Sequence, residues 1–346
     1  MSYKIVITDL EHPTIAPELE VLAALDAKIE RYDCRTEEEV IEAASAADGL
    51  MVAFAPITSR VLKALPGCSI VARFGIGVDM IDVAAATEHG VVVTNVPDFC
   101  LDEVADHTVA LLLAVSRKIV FLDRAVREGW AATNGYWRTT TIAEPMWRLS
   151  KQTLGIVGLG KIGQRVARRA QAFGMRVIAS SDPGVSSAEL ASLSVSMLPL
   201  EVVLAQADFL TLHVPVSEDS CHLIDADRLV LMKPTATVIN TSRGPVIDQA
   251  ALVDALTSGR LGGAGLDVYE QEPLPADDPL IGMDNVVLCS HAAWYSADAF
   301  HEMKVKTAQA IVDHFQGRVP RYVLNPAVLS SPQRRMPRIP HPRQPL

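Results

Sequence analysis

Two doubly wound α/β domains, each built on a parallel sheet and Rossmann-like, with a cleft between them, are the fold this sequence predicts. Three observations predict it. Short β-rich runs alternate with helical runs over the first hundred residues. A second run of the same kind opens on a glycine-rich turn near residue 158. A late helix over residues 297–316 then returns the chain to the first domain, which makes that domain discontinuous. Such alternation implies parallel strands covered by helices.

In the first run, strands are expected over 4–8, 28–32, 49–53, 70–73 and 91–94, with helices near 17–25, 36–46, 58–64 and 81–89. An Ala/Leu-rich helix follows over 101–117, then a second over 119–129. Residues 130–151 hold three tryptophans and no clear period, and read as a loop over the cleft. In the second run, strands are expected over 153–157, 176–179, 209–212, 237–240, 263–266 and 285–288. Six strands complete a doubly wound dinucleotide domain. The expected division is residues 1–100 with 299–328, residues 101–298, and a disordered, basic, Pro-rich tail over 329–346.

Composition narrows the function. A chain of 346 residues can hold two cores, and its 49% hydrophobic content with few aromatics suits an α/β protein. The net charge of −10 speaks against a nucleic-acid partner, which needs a basic face. The cysteines Cys34, Cys68, Cys100, Cys221 and Cys289 are odd in number and form no C-x-x-C pair, so their spacing suggests neither a disulfide framework nor a metal site. A reducing, cytoplasmic compartment is expected. The amino terminus enters a strand at once and does not read as a signal peptide. No apolar run reaches the ~18 residues of a membrane helix, so no membrane partner is expected.

The glycine turn is Gly158-Leu-Gly-Lys-Ile-Gly163, between a buried strand and a helix. Gly158 allows the tight turn, Gly160 removes a Cβ where a phosphate approaches, and Gly163 lets the helix pack close to the sheet. The helix beginning at Lys161 and Ile162 aims unpaired N–H groups and its positive dipole end at a diphosphate.

A cofactor does not identify a reaction, but three later strand ends supply chemistry. They present Arg243, an acid-rich segment around Glu272, and His291. Hydride transfer to a ketone leaves a growing alkoxide that needs a proton, and histidine can supply one near neutral pH. A carboxylate beside it favours the imidazolium and fixes the ring. Arg243 can grip a carboxylate in two bonds and polarise a carbonyl oxygen.

The chain resembles the D-isomer-specific 2-hydroxyacid dehydrogenases to about Pro326. The likeness rests on Arg73-Phe-Gly-Ile-Gly-Val-Asp-Met-Ile-Asp82, Asn95-Val-Pro97, the glycine turn, Leu212-His-Val-Pro215, Asn240-Thr-Ser-Arg-Gly244, Leu266-Asp-Val-Tyr-Glu-Gln-Glu-Pro273 and Ser290-His291. Pro97-Asp-Phe-Cys-Leu-Asp-Glu-Val-Ala-Asp-His-Thr108 and His291-Ala-Ala-Trp-Tyr-Ser296 look most like its carboxy-terminal binding protein branch. The resemblance implies an NAD-dependent enzyme interconverting a 2-oxo acid and its D-2-hydroxy acid, with Arg243, Glu272 and His291 as the catalytic trio. It implies that Asp267 binds the nicotinamide amide, and that His213, Pro215 and Thr241 line the cofactor. It also implies that Ile76 and Gly77 offer backbone N–H groups to the substrate carboxylate, as a glycine loop at a strand end can.

Two features depart from the family. Asp182, expected on the adenosine ribose, comes about one residue late, with a serine in the usual place. With Asp182 there, NAD is preferred, because a 2′-phosphate would be repelled. Trp294, beside the catalytic histidine, could wall the substrate tail or pack at the domain interface; the residues leave both open.

A homodimer is expected through the helix over 101–117, which is apolar nearly all round. An NAD(H)-sensing scaffold, as in corepressors, is the alternative of another class. Formate chemistry would call for glutamine at Glu272, while phosphite or phosphoglycerate oxidation stays open.

Overall fold

The computed structural model describes residues 2–10, 13–129, 145–180 and 185–337. The chain divides into two compact units, Met1–Cys100 with Ser296–Leu346, and Leu101–Tyr295. Both sheets are wholly parallel.

In the first unit, β1 (Tyr3–Ile7), β2 (Ala27–Arg31), β3 (Gly49–Val52), β4 (Ile70–Arg73) and β5 (Val92–Thr94) form a sheet of order β2-β1-β3-β4-β5. The inner strands β3 and β4 are buried almost throughout, which explains their continuous apolar runs. Helix starts follow legible caps. Thr36 and Glu39 make a reciprocal capping box on α2 (Glu37–Ala43). Thr58 and Asp82 cap α3 (Ser59–Ala64) and α4 (Val83–Glu88). The helix over Ala297–Phe315, α12 below, packs on α1 (Ala16–Leu22) and on β4. That packing buries an ion pair: Lys304 Nζ lies 3.3 Å from Glu18 and donates to Thr14 O at 2.6 Å.

The segment expected to be a disordered tail is, where described, held against this unit. Arg335 donates its backbone N–H to Gly90 O at 2.8 Å, and its guanidinium to the carbonyls of Leu65 and Cys68 at 2.6 and 3.0 Å. Arginine donors that satisfy buried helix-end and loop carbonyls hold a basic segment that composition alone leaves in solvent.

The second unit begins with α5 (Leu101–Ser116) and α6 (Ile119–Arg127). Its sheet contains β6 (Thr153–Val157), β7 (Arg176–Ser180), β8 (Ser196–Leu198), β9 (Phe209–Leu212), β10 (Thr237–Asn240), β11 (Gly263–Leu266) and β12 (Val286–Leu288), in the order β12-β11-β10-β9-β6-β7-β8. This is the doubly wound dinucleotide order with one strand added at the β12 edge. The sheet has seven strands rather than the expected six. The missed strand is β8, a half-exposed edge of three residues with no β-branched side chain.

The covering helices are α7 (Lys161–Ala172), α8 (Ser187–Leu193), α9 (Leu200–Gln206), α10 (Ala226–Val230) and α11 (Gln249–Thr257), and the late helix of the first unit is α12 (Ala297–Phe315). α5 packs on α7 and on β10, β11 and β12, which buries Val104, Ala105, Val109, Leu111 and Leu112 within its own unit. Of the loop expected over 130–151, residues 130–144 lie outside the described part; Leu149–Lys151 forms a 3-10 turn leading into β6. Among the described residues, no helix is long and apolar enough to cross a membrane.

Candidate active site

The second sheet reverses its winding between β6 and β9, and ligands of open α/β sheets gather outside the carboxyl ends of strands at such a switch. Gly158 leaves β6 at φ 94°, in the left-handed region, where glycine carries no Cβ penalty. A Cβ on it would lie 2.7 Å from the His213 carbonyl, so the loops after β6 and β9 abut here. Gly163 lies buried against the Gly158 carbonyl, leaving no room for a side chain. Gly160 is the N-cap of α7 and supplies no side-chain acceptor, so Lys161, Ile162 and Gly163 begin the helix with backbone donors free for a ligand. A diphosphate fits this cradle.

His213 follows β9, with its N–H on Val157 O at 2.7 Å and Nε2 3.0 Å from Thr211 Oγ1. Burial pushes its pKa down to about 3, so the ring is neutral. Pro215 is exposed, and its carbonyl accepts from Ser220 Oγ at 2.6 Å. Thr241, just past β10, is buried, with Oγ1 2.8 Å from Thr108 Oγ1 of α5. Asp182 lies outside the described residues.

Three adjoining strand ends carry the reactive side chains. Arg243 follows β10; its carbonyl accepts from Asn240 Nδ2 at 2.8 Å, and its guanidinium donates to Ser242 O at 2.8 Å. Glu272 follows β11, and Oε1 accepts the Tyr269 N–H at 3.1 Å. His291 follows β12, with Nδ1 2.7 Å from Glu272 Oε2. Partial burial opposes ionisation of Glu272. The His291 hydrogen bond and charge, the Tyr269 N–H and the Arg243 charge outweigh it and hold the carboxyl below its ordinary value.

His291 stands at φ 54°, a left-handed conformation that is uncommon for a residue with a side chain. Asp267 holds it there. The Asp267 carbonyl accepts the His291 N–H at 2.7 Å, and its carboxylate oxygens accept the N–H groups of Ala292 and Ala293, each at 2.9 Å. The buried Asp267 therefore braces the turn that aims the imidazole, a role that sequence reasoning did not give it.

Sequence reasoning also missed His107 and Cys289. His107 Nε2, on α5, is shut from solvent without a hydrogen-bond partner, 3.5 Å from Asp267 Oδ1. Burial, then the Asp267 charge, raises the pKa of Cys289. Nothing in the spacing of these residues announces their convergence.

Trp294 is partly buried, its ring edge-on to Tyr295 at 5.4 Å. Ile76 and Gly77 belong to the first unit, in the loop after β4, where Asn95 Nδ2 donates to Ile76 O at 2.7 Å.

Comparison with known proteins agrees with this geometry. Residues 109–293 match the family model described as D-isomer specific 2-hydroxyacid dehydrogenase, NAD binding domain. The chain is 43% identical over 278 residues to the glyoxylate reductase of Korarchaeum cryptofilum, covering 79% of this chain and 81% of that one. It is 37% identical over 298 residues to the D-3-phosphoglycerate dehydrogenase of Mycobacterium bovis, covering 86% of this chain and 54% of that one. The structure of D-lactate dehydrogenase from Aquifex aeolicus complexed with NAD and lactic acid superposes with a TM-score of 0.82 at 25% identity, covering 93% of this chain and 99% of that one. A glycine cradle at the switch point, an arginine and a paired histidine at neighbouring strand ends, and these likenesses agree: the chain belongs to the D-isomer specific 2-hydroxyacid dehydrogenase family, with NAD as its cofactor.

Proposed function

We propose that this enzyme reduces small 2-oxo acids to D-2-hydroxy acids, with Arg243, Glu272 and His291 as its catalytic residues and glyoxylate among its substrates. The observation that carries the reading is the 2.7 Å pair between His291 Nδ1 and Glu272 Oε2, with the Arg243 charge felt at the same carboxylate. Bound NADH supplies a hydride to the carbonyl carbon. Arg243 grips the substrate carboxylate and draws charge onto the carbonyl oxygen. His291 gives a proton from Nε2 to that oxygen as the C=O double bond becomes a C–OH single bond. Glu272 keeps Nδ1 protonated and the ring aimed. Reversal oxidises the hydroxy acid, with His291 accepting the proton.

In this reading Gly158, Gly160, Lys161, Ile162 and Gly163 hold the diphosphate, and Asp182 holds the adenosine ribose. His213, Pro215, Thr241 and Asp267 line the cofactor, and Ile76, Gly77 and Trp294 meet the substrate. The unit containing Ile76 and Gly77 would be the substrate-binding domain. Glyoxylate is put forward because several relatives at 37–43% identity carry the name glyoxylate reductase. Likeness to the carboxy-terminal binding protein branch rests on two short segments. A scaffold role is less well supported than turnover, because the acid–base pair is complete.

NADH oxidation against glyoxylate, pyruvate, hydroxypyruvate and phosphohydroxypyruvate tests the proposal. Turnover with the small acids and D-configured lactate or glycerate are expected; no turnover with any 2-oxo acid would refute it.

A homodimer belongs to the same proposal, but its support moves from α5 to α6. No residue of α6 is buried, and Ile119, Val120 and Val126 are each at least half exposed, as is Trp147. Val120 and Trp147 line one groove of mixed polarity, and these exposed apolar side chains suit a second copy. Sedimentation at micromolar concentration should give twice the 37.3 kDa chain mass. A cytoplasmic location suits the five free thiols.

A further inference from the structure

We infer that His107, Asp267 and Cys289 form a binding site for a borderline-soft divalent cation such as Zn2+, and that occupancy of this site excludes NAD(H). The second half rests on the placement of Asp267 in the cofactor site proposed above.

The donors come from α5 and from the carboxyl ends of β11 and β12, far apart in sequence. One nitrogen, one oxygen and one sulfur lie within 4.8 Å of one another. An imidazole, a carboxylate and a thiolate form a donor set that Zn2+ accepts in tetrahedral sites. With zinc–ligand bonds of about 2.0–2.3 Å, tetrahedral ligand atoms stand ~3.3–3.7 Å apart. The His107 Nε2 to Asp267 Oδ1 separation of 3.5 Å already falls there. The other two separations are at most 4.8 Å, so each must close by no more than about 1.5 Å to reach that range.

The surroundings suit a ligand set. His107 Nε2 is enclosed and makes no hydrogen bond, so its lone pair is available in one tautomer. Asp267 is held by the N–H groups of Ala292 and Ala293, one on each oxygen. Each oxygen keeps a lone pair, and outer-shell bonds of this kind orient a metal-binding carboxylate. On binding, the Cys289 thiol exchanges its S–H bond for S–Zn and its proton goes to solvent. Three protein ligands leave a fourth position open. Because Asp267 is also the expected partner of the nicotinamide amide, a cation on its carboxylate takes the position proposed for that amide.

Calorimetric titration of the nucleotide-free protein with ZnCl2 tests the site. One equivalent should bind. Cys289→Ser and His107→Gln should each weaken binding at least tenfold, whereas Cys221→Ser, at an exposed thiol outside the cluster, should not. Cobalt(II) should give a thiolate-to-metal absorption band that Cys289→Ser abolishes. Equal affinity in the wild type and both cluster variants, or cobalt binding without that band, would overturn the site. NADH titrations monitored by fluorescence test the exclusion separately: Zn2+ should raise the apparent Kd for NADH. Cluster-dependent zinc binding that leaves NADH affinity unchanged would uphold the metal site and overturn the position of Asp267 beside the nicotinamide.

Discussion

Gly244 lies flush against the carbonyl of Tyr269, leaving no room for even a Cβ between the loops after β10 and β11. The contact sets the spacing of two functional segments, since Arg243 precedes Gly244 and Glu272 follows Tyr269 by three residues. Backbone faces backbone on both sides, so neither can yield cheaply. Gly244→Ala should force the loops apart and displace the guanidinium. Misplacement by about an ångström can cost ~10²-fold in rate. The expected outcome is a fall of that order in kcat/KM, with NADH affinity largely kept. Steady-state kinetics beside a fluorescence titration of NADH would check it.

Cofactor choice is expected to turn on Asp182, which follows β7 (Arg176–Ser180) by two residues in the sequence. A carboxylate there would accept from ribose hydroxyls and repel a 2′-phosphate. NADH should be preferred over NADPH, and Asp182→Ser should narrow the preference. Comparing kcat/KM for the two nucleotides decides it; equal use by the wild type would remove Asp182 from the ribose site.

Acid should weaken the first unit through His314. Its ring is buried, with Nε2 2.9 Å from Ser69 Oγ. Burial, then the Arg334 charge, lowers its pKa to about 4. An unfolded histidine titrates near ~6.5, so below that pH the unfolded chain binds a proton that the folded chain refuses. Stability is therefore full above pH ~6.5 and falls as pH drops toward 4, by roughly 2 kcal/mol at pH 5 from this residue alone. Urea unfolding at pH 7.5 and 5.0 should show the loss, and His314→Gln should reduce the difference.

Much of this was legible in the residues. Runs such as Leu154–Val157 and Val91–Thr94 announce buried parallel strands, and Thr36 with Glu39 announces a helix start. The arginine, glutamate and histidine were each readable at a strand end, because an open sheet sends its strand ends to one side. The edge strand Ser196–Leu198 was not, since its pattern is too short and too polar to separate from a loop. Nor was the hold on Arg335, because its acceptors are main-chain carbonyls and carry no side-chain signature. The apolar breadth of α5 suggests an interface in the sequence, yet α7 and three strands of its own unit account for much of it. His107, Asp267 and Cys289 meet only through the packing of α5 on β11 and β12.

In the proposed reaction His291 moves the proton while the other residues hold the ring, substrate and cofactor. The most direct measurement is turnover of His291→Ala with NADH and glyoxylate, beside its NADH affinity. Loss of a general acid predicts a fall of ~10²–10⁴ in kcat with NADH binding retained. Turnover equal to that of the wild type would remove His291 from the role of general acid.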